Sequence, residues 1–388
     1  MTAQPLRVEV ARTVEEVERL ATPWSRVPWD GEQAEHAYFV ASARARADHA
    51  RPFALLLFSG EEPVAAAAGR MESRRLDARI GYVRAYAPTV RVLQVVPGGI
   101  VATDASVLPP LTDALRAVLA AGEADALALP ALPVETDLFA ALAALGGPLE
   151  RQRLIPTWTR RRLVLPGSFE EFLASRSRKV RAGIRYDAKK LLDALGDELT
   201  VEVFRDASSF EQIVRDLDTV ARATYQRALG AGFADTGERR SLLRVGLAHG
   251  WARPYVLYHR GDPIAYWLCS VHGDRITLNT TGYLPAYAPY RVGIYLLMRV
   301  IEDACADPAL RVLDFGPGRS AYKQHFSSEG YDERNIVVFA PTWRGRRINV
   351  MRTAVLCIAW LGRRALDSTG LTDRLKSAWR GRLRGSRR

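Results

Sequence analysis

Apolar stretches separated by short clusters of glycine, proline and acidic residues divide the chain into strands and helices. Apolar runs bounded by turn residues predict strands, and apolar residues at three- and four-residue steps predict helices. The predicted strands are 53–58, 64–70, 90–96, 126–129, 158–164, 201–204, 255–259, 264–271, 275–281, 310–315 and 335–339. The predicted helices are 13–22, 32–50, 108–121, 174–190, 208–229, 292–306 and 320–329, with another ending near 145 and one beginning at 168. Strands that first meander and later alternate with helices predict an α/β (α+β) fold with a mixed sheet.

One strand–turn–strand pattern occurs twice. Residues 51–66 read RPFALLLFSGEEPVAA, and residues 253–267 read RPYVLYHRGDPIAYW. Each stretch begins Arg-Pro-aromatic, continues as an apolar strand, turns at a glycine followed by an acidic residue, and resumes with Pro and a second apolar strand. We interpret the match as an internal duplication with one active copy; a chance similarity of two hairpins is the alternative.

The length and composition are those of a globular protein with two domains, since 388 residues exceed one ordinary core. Cys269, Cys305 and Cys357 lie far apart and form no metal-ligand spacing, so we expect no metal and a reduced, cytoplasmic environment. The N-terminus, MTAQPLRVEV, has no apolar segment of the kind found in secretory signals.

Positive charge is concentrated at the C-terminal end. The net charge is +12, yet residues 341–388 contain thirteen Lys or Arg and two acids, so the first 340 residues contain 42 basic and 41 acidic residues. A body without excess charge argues against a nucleic-acid partner. Residues 174–190 form a basic helical stretch that is either a solvated face or the edge of an anion-binding site.

Residues 279–297, NTTGYLPAYAPYRVGIYLL, have the pattern of a phosphate-binding turn. A strand ends near Thr281, a loop follows, and a helix begins close to Gly293. Free amides and the helix dipole at such an N-terminus favour phosphate or pyrophosphate, and Arg291 adds a cation. The alternative is an ordinary strand–loop–helix connection that happens to contain a glycine.

A second glycine-rich segment follows the next predicted strand. Residues 310–331 read LRVLDFGPGRSAYKQHFSSEGY, in which Gly316-Pro317-Gly318 comes directly after the strand and a short helix carries Tyr322, Lys323 and His325. Ligands of open α/β sheets bind beyond the carboxyl ends of the strands, so this segment is expected to border a site.

Residues 160–345 resemble the GNAT acyltransferase superfamily, and within it the CelD/BcsL-like branch, named after cellulose-biosynthesis acetyltransferases. The features that carry the resemblance are the hairpin 255–271, Gly282-Tyr283 with Tyr287-Ala288-Pro289 and Gly293, and Leu313–Gly316 with Tyr322-Lys323-x-x-Phe326. The N-terminal half is similar to a diverged second copy, as in the tandem GNAT folds of Fem-type transferases. We therefore expect a diverged GNAT-like domain over 1–157, an acyl-CoA-binding GNAT domain over 158–345 and a basic amphipathic tail over 346–388.

The resemblance implies an acyl-CoA-dependent N- or O-acyltransferase that uses acetyl-CoA or another acyl-CoA. The family parts two neighbouring strands to hold the pantetheine arm and places the pyrophosphate on the following turn. The acceptor implied is an amine or hydroxyl of a small molecule, an amino sugar or a polysaccharide precursor. The cofactor-binding residues implied are Thr281, Gly282, Tyr283, Tyr290, Arg291, Val292, Gly293, Ile294 and Tyr295.

The resemblance also implies roles near the second glycine-rich segment. Many relatives protonate the leaving thiolate with a tyrosine at a position that Phe326 occupies here, and Tyr322 lies one turn earlier, either as the acid or in the core. Asp314 is either a base or a turn-capping residue. Lys323 either binds an anionic substrate group or points into solvent, and His325 is the neighbouring substrate-binding candidate.

The tail has an apolar face at three- and four-residue steps, consisting of Ile348, Met351, Val355, Ile358 and Leu361, followed by many arginines. This pattern favours an anionic membrane surface, so we expect a peripheral location at the inner face of the membrane. Docking on the protein's own body, a partner, nucleic acid or plain disorder remain as alternatives. For the whole chain, the alternatives to an acyltransferase are a Fem-type aminoacyl-tRNA-dependent transferase and a non-catalytic scaffold of an envelope polysaccharide complex.

Overall fold

A computed structural model describes residues 6–224, 232–318 and 320–368. The end of the helix expected over 208–229 and the tail after residue 368 lie outside the described residues.

Twelve strands of the described chain form one mixed sheet that passes through both halves, and two more form a separate hairpin. The strands are β1 Leu6–Ala11, β2 Ala50–Ser59, β3 Glu62–Arg75, β4 Ala78–Ile80, β5 Val83–Tyr86, β6 Thr89–Ala102, β7 Ala126–Pro133, β8 Thr157–Val164, β9 Leu199–Val203, β10 Ala252–His259, β11 Asp262–His272, β12 Arg275–Tyr283, β13 Val312–Asp314 and β14 Glu329–Phe339. The order across the sheet is β1-β2-β3-β6-β7-β14-β8-β13-β12-β11-β10-β9, and β4 pairs with β5.

The two halves of the sheet repeat one another when followed inward from its two edges. One half has the order β1-β2-β3-β6-β7 and the other β9-β10-β11-β12-β13. The hairpins with the repeated sequence, β2–β3 and β10–β11, also shift register at the same place. The aligned pairs on either side of the shift are Leu57–Ala65 and Phe58–Pro63 in the first hairpin, and Leu257–Ala265 and Tyr258–Pro263 in the second. The expected duplication is therefore present in the backbone.

The halves exchange their next strands at the centre of the sheet. β8 follows the N-terminal half along the chain but pairs with β13 of the C-terminal half. β14 ends the C-terminal half but pairs with β7 of the N-terminal half, and β8 and β14 also pair with each other. Each half therefore needs a strand from the other to complete its sheet.

Helices cover both faces of the sheet. They are α1 Val14–Arg19, α2 Ala21–Trp24, α3 His36–Ala45, α4 Leu108–Ala120, α5 Asp137–Ala143, α6 Phe169–Ala174, α7 Arg178–Leu195, α8 Phe210–Arg222, α9 Gly237–Ala248, α10 Val292–Ala306, α11 Ala321–Phe326 and α12 Trp343–Ser368. Side-chain caps fix several of their starts, because Thr or Ser oxygens accept amide bonds there. The capping residues are Thr13, Thr136, Ser168, Ser177 and Thr236. None of the helices in the described ranges is both long and apolar enough to cross a bilayer.

Alternation along the strands supplies the cores on the two faces. In β2, Leu55 and Leu57 pack under α4 and α5, whereas Leu56 and Phe58 pack under α1–α3. β10 repeats this pattern, with Leu257 on the face of α6, α7 and α10 and Val256 on the face of α8 and α9. The result is a three-layer arrangement with the sheet in the middle.

The predicted elements are largely confirmed, and the differences have physical reasons. Helix 292–306 has the bounds of α10, whereas the helix expected over 320–329 ends at Phe326 because β14 begins at Glu329. Strand β1 and helix α9 were not predicted. β1 is an edge strand that is exposed over its first three residues, and α9 contains two glycines and three arginines, so neither has a clear apolar pattern.

The strand exchange predicts that the N-terminal half does not fold alone. Residues 1–157 lack β14, which leaves the edge of β7 unpaired and part of the core that contains Val338 uncovered. We expect this fragment to show no cooperative denaturant transition by circular dichroism, and mixing with residues 158–388 to restore one. A sharp transition for the fragment alone would contradict this expectation.

Candidate active site

The parallel ladder between β12 and β13 stops after three residue pairs. Arg275 pairs with Val312 and Thr277 with Asp314, after which β13 ends while β12 continues to Tyr283. Over residues 278–283, β12 is hydrogen-bonded as a strand to β11 alone. Its other side, called here the unpaired flank of β12, presents backbone groups to whatever lies beside it.

Two details describe the surroundings of this flank. Gly316 follows β13 with φ +66°, and a Cβ at that position would lie 2.8 Å from the Leu278 carbonyl oxygen, so a side chain would collide with β12. The Thr280 hydroxyl oxygen is buried and has no hydrogen-bond partner among the described residues. A buried polar atom without a partner indicates that a ligand or water normally lies beside it.

The unpaired flank leads to the N-terminus of α10. Arg291, in the left-handed conformation with φ +54°, precedes the helix, and no side chain caps it. The first two amides, Val292 and Gly293, donate to no acceptor among the described residues, whereas Ile294 donates to the Arg291 carbonyl. Free amides at the positive end of the helix dipole are suited to an anion.

The basic helix α7 lies beside this turn. Lys190 donates from Nζ to the Pro289 carbonyl at 3.0 Å, and Arg291 lies 3.2 Å from the Asp187 carboxylate. Other cations of α7 are exposed and make no salt bridge within the described part of the chain; they are Arg178, Lys179, Arg185 and Lys189. α7 therefore borders the turn, and anion binding by its cations stays a prediction.

The corresponding helix of the N-terminal half has a different start. α4 follows β6 as α10 follows β12, and it begins Leu108-Pro109-Pro110. Proline has no N–H group, so the second and third helical positions of α4 cannot donate to an anion. The free-amide arrangement is therefore specific to the C-terminal half.

Tyr322 lies on the same face of the sheet as α10. Its ring contacts those of Trp267, Phe315 and Phe326, and Trp267 donates from Nε1 to the Gly293 carbonyl at 3.4 Å. Burial raises the pKa of Tyr322 to about 12. The phenol is therefore protonated at neutral pH, and no other described residue hydrogen-bonds its hydroxyl.

The remaining residues predicted to bind the cofactor lie at the end of β12 and on or before α10. Thr281, Gly282 and Tyr283 end β12 beside the turn, and Tyr290 and Tyr295 pack partly against the core under α10. A Cβ at Gly293 would be 3.4 Å from the Tyr283 ring, so the two parts of the predicted cofactor site adjoin.

Lys323 and His325 are not brought together. The Lys323 Nζ is buried and donates to the carbonyls of Gly316 and Pro317 at 3.0 and 2.6 Å, which ties α11 to the glycine-rich turn. Burial lowers the pKa of Lys323 to about 8, and the Asp314 carboxylate offsets part of this effect. His325 is exposed. Substrate binding by either residue stays a prediction.

Asp314 belongs to a buried charge cluster that sequence patterns did not indicate. Its carboxylate accepts from the Gly316 amide at 2.7 Å, a turn-forming contact, and from Arg160 Nε at 2.6 Å. Arg160 also lies 3.4 Å from Glu333, which Trp158 contacts through Nε1 at 3.2 Å. Both oxygens of Asp314 therefore already accept hydrogen bonds, as the turn-capping alternative requires. A base role for Asp314 stays a prediction.

Burial and charge act in opposite directions within this cluster. Burial disfavours the charged guanidinium of Arg160. The Asp314 and Glu333 carboxylates have the larger effect, so the pKa of Arg160 is raised. Burial raises the pKa of Glu333, and Arg160 offsets only part of that. Arg160 and Glu333 come from β8 and β14, the exchanged strands, so their proximity depends on a pairing between distant parts of the sequence.

A cleft of about 330 Å³ lies between the halves on the opposite face from α10. The N-terminal half contributes Tyr38 and Arg46, and the C-terminal half contributes Arg239, Trp251 and Asn279. Arg46 Nε donates to Glu238 at 2.9 Å and so joins α3 to α9 across the cleft. A smaller cavity of about 120 Å³ shares Asn279 with it and is lined by residues of the charge cluster. Among the described residues, no three His, Cys, Asp or Glu side chains are grouped as metal ligands.

Comparisons with known proteins agree with this arrangement. The family model described as "Acetyltransferase (GNAT) domain" matches residues 178–324. The crystal structure of FemX has a similar fold, with a TM-score of 0.56, 12% sequence identity, and coverage of 85% of this chain and 97% of that one. A tandem GNAT protein from the clavulanic acid biosynthesis pathway has a TM-score of 0.48 and 13% identity, covering 87% of this chain and 99% of that one. A search of curated protein sequences found no match. Residues 178–324 are therefore similar to a GNAT acetyltransferase domain, and the chain as a whole shares the fold of FemX.

The charge cluster predicts a large difference between two arginines of β8. Arg160→Met leaves Asp314 and Glu333 buried without their partner, so we expect a loss of about 3–5 kcal/mol in the free energy of unfolding. Arg162→Met removes a partly exposed pair with Glu329 and should cost under about 1 kcal/mol. Urea titrations measure both. Equal effects of the two substitutions would contradict the assigned importance of the cluster.

Proposed function

We propose that the protein is an acyl-CoA-dependent acyltransferase whose single donor site lies in the C-terminal half. The observation that carries this proposal is the unpaired flank of β12, which leads directly to the uncapped start of α10. An extended arm can hydrogen-bond to the flank as an added strand, and a pyrophosphate can accept from the amides of Val292 and Gly293.

The residues present fit an acyl-CoA. Thr280 offers a buried hydroxyl without a partner beside the flank, and Lys190 of α7 lies at the turn that would receive the phosphates. In the N-terminal copy, the Leu108 N–H donates to the Ala105 carbonyl and Pro109 has no N–H, so neither equivalent amide is free, which supports one active site rather than two. When bound, acyl-CoA supplies an activated thioester; the chain supplies position and proton transfer.

We propose that the cleft between the halves holds the acceptor. An amine or hydroxyl entering there would attack the thioester carbonyl carbon, the carbon–sulfur bond would break, and the acceptor's proton would pass to water in the cleft. Tyr322, protonated and hydrogen-bonded to no described group, would donate its proton to the departing thiolate. The donor and the acceptor thus reach the reaction from opposite faces of the sheet.

For the acceptor we propose an amino sugar or a polysaccharide precursor, as expected for the CelD/BcsL-like branch. The cleft combines the aromatic side chains of Tyr38 and Trp251 with polar groups such as Ser42 and Asn279. Aromatic surfaces with a few hydrogen-bonding groups suit a sugar ring better than an extended apolar ligand.

A second candidate is a Fem-type transferase that takes its acyl group from aminoacyl-tRNA. The feature that favours it is α7, whose exposed cations extend along a helix of 18 residues, about 27 Å long and longer than a pyrophosphate requires. Calorimetric titration of the full chain with acetyl-CoA and with tRNA distinguishes the two. Binding of neither would favour a non-catalytic scaffold.

We also propose that the tail over 346–388 holds the protein at the anionic, cytoplasmic surface of a membrane. The described part of this tail is an amphipathic helix with arginines, a composition suited to lying in the plane of an anionic lipid surface.

Two substitutions of Gly293 should differ in their effect on acyl-CoA affinity, because only one of them removes an amide donor. Gly293→Pro copies Pro109 of the N-terminal half and removes one amide, so acyl-CoA affinity should fall by about tenfold or more. Gly293→Ala keeps the amide, and its Cβ meets only the Tyr283 ring at an ordinary distance, so affinity should change little. Isothermal calorimetry measures both, with thermal unfolding to verify folding. Equal affinities would remove this amide from the site.

Because we propose that Tyr322 protonates the departing thiolate, replacing it should slow turnover without weakening acyl-CoA binding. Tyr322→Phe should lower kcat by about a hundredfold or more and leave the acyl-CoA Kd unchanged. Tyr255→Phe, in the same apolar cluster but outside the predicted site, is the control and should retain activity. A thioester-release assay with a panel of amine acceptors measures the rates. Because the pKa of Tyr322 is about 12, its deprotonation should not reduce the wild-type rate below pH 10. An unchanged kcat for Tyr322→Phe would remove it from the mechanism.

A further inference from the structure

The hairpin β4–β5 and helix α12 form a unit outside the main sheet. The hairpin is inserted between β3 and β6 of the N-terminal half and pairs with no strand of the twelve. Helix α12 follows β14 at the end of the C-terminal half and packs against both strands of the hairpin. Two segments distant in sequence are thus adjacent in the fold.

The first part of α12 is fixed to the body. Ile348 is buried at 3% exposure in a small core with strands β6, β7 and β14. Asn349 donates from Nδ2 to the carbonyls of Leu149 and Arg151, and Arg352 donates from Nη1 to the Leu76 carbonyl at 2.6 Å, next to the hairpin. The direction in which α12 leaves the body is therefore set by specific contacts.

Beyond Ile348, most of the apolar face of α12 is exposed, and only Val355 is half-buried. Met351, Ile358 and Leu361 are 47%, 56% and 58% exposed, although the same three- and four-residue steps begin with the buried Ile348. The turn of the adjoining hairpin exposes Ile80 and Val83, the latter at 69%. The two elements that carry these exposed apolar groups pack against each other, which favours an interaction surface rather than scattered exposure.

The charges identify the occupant. Residues 343–368 contain six arginines and one acidic residue, and the sequence after them is also basic. Arg347 lies over the Trp343 ring and Arg364 over the Trp360 ring, at 4.9 and 5.3 Å. Tryptophans with adjacent cations are typical of the boundary between water and lipid. A second copy of this chain would bring the same positive charge against the surface, whereas an anionic bilayer complements it.

We propose that the hairpin turn and the exposed face of α12 dock together on an anionic lipid bilayer, with the N-terminal half contributing the second point of contact. This inference rests on the proposed membrane association of the tail and adds the hairpin to it. One amphipathic helix leaves the orientation of the body free, whereas two fixed points of contact define which side of the protein faces the lipid.

The test compares full-length variants in vesicle co-sedimentation. The hairpin variant is Ile80→Ser with Val83→Ser, and the helix variant is Ile358→Ser with Leu361→Ser. The control is Tyr186→Ser with Leu192→Ser on α7, which removes exposed side chains of similar size from a helix that packs against α10. Vesicles are phosphatidylcholine with or without phosphatidylglycerol, at low and high salt.

We expect wild-type protein and the control to bind the phosphatidylglycerol vesicles at low salt. Their binding to neutral vesicles, or to any vesicles at high salt, should be much weaker. The hairpin and helix variants should each bind about tenfold more weakly. Wild-type binding by the hairpin variant, with weakened binding by the helix variant, would overturn the hairpin contact and leave the tail proposal standing. Absence of wild-type binding, or self-association in sedimentation velocity that the same substitutions abolish, would overturn both. None of these readouts depends on acyl-CoA, so they are separate from the test of catalysis.

Discussion

The candidate active site depends on a strand that loses its partner. β13 is only three residues long, so β12 continues for six residues with hydrogen-bonding groups that the sheet does not use. Asp314 and Gly316 enforce this ending: the carboxylate accepts the Gly316 amide, and the positive φ of Gly316 turns the chain towards α11. The same turn places Tyr322 on the face where α10 begins. A longer β13 would satisfy the flank of β12 and leave no room for an extended ligand.

The two halves show how one fold retains a site and loses it. The strand order and the hairpin register are the same, so the scaffold is conserved between the copies within this chain. The helix that follows the equivalent strand begins with Val292-Gly293 in one half and Leu108-Pro109 in the other. Proline is well accepted in a first helical turn, so the N-terminal copy gives up amide donors at little cost in stability. What that copy contributes instead is one wall of the cleft between the halves and, through β7, the pairing partner of β14.

The sequence allowed the local parts of this picture to be predicted and not the long-range ones. The repeated hairpins and the bounds of α10 follow from short apolar runs and their turn residues. No local sequence pattern indicates the exchange of β8 and β14, because the apolar pattern of a strand does not depend on which strand it pairs with. Arg160 was missed for that reason. It is one of three consecutive arginines in β8, and only the position of β8 between β13 and β14 shows which of them contacts Asp314 and Glu333. The hairpin β4–β5 was missed because its residues are largely exposed and lack apolar alternation.

Amide hydrogen exchange with and without acetyl-CoA can show whether the donor lies along the unpaired flank of β12, because it reports on backbone groups that no side-chain substitution isolates. We predict that acetyl-CoA slows exchange at residues 278–283 and at Val292 and Gly293, and leaves residues 103–115 of the N-terminal copy unchanged. Protection confined to the N-terminal copy, or none at the flank of β12, would contradict it.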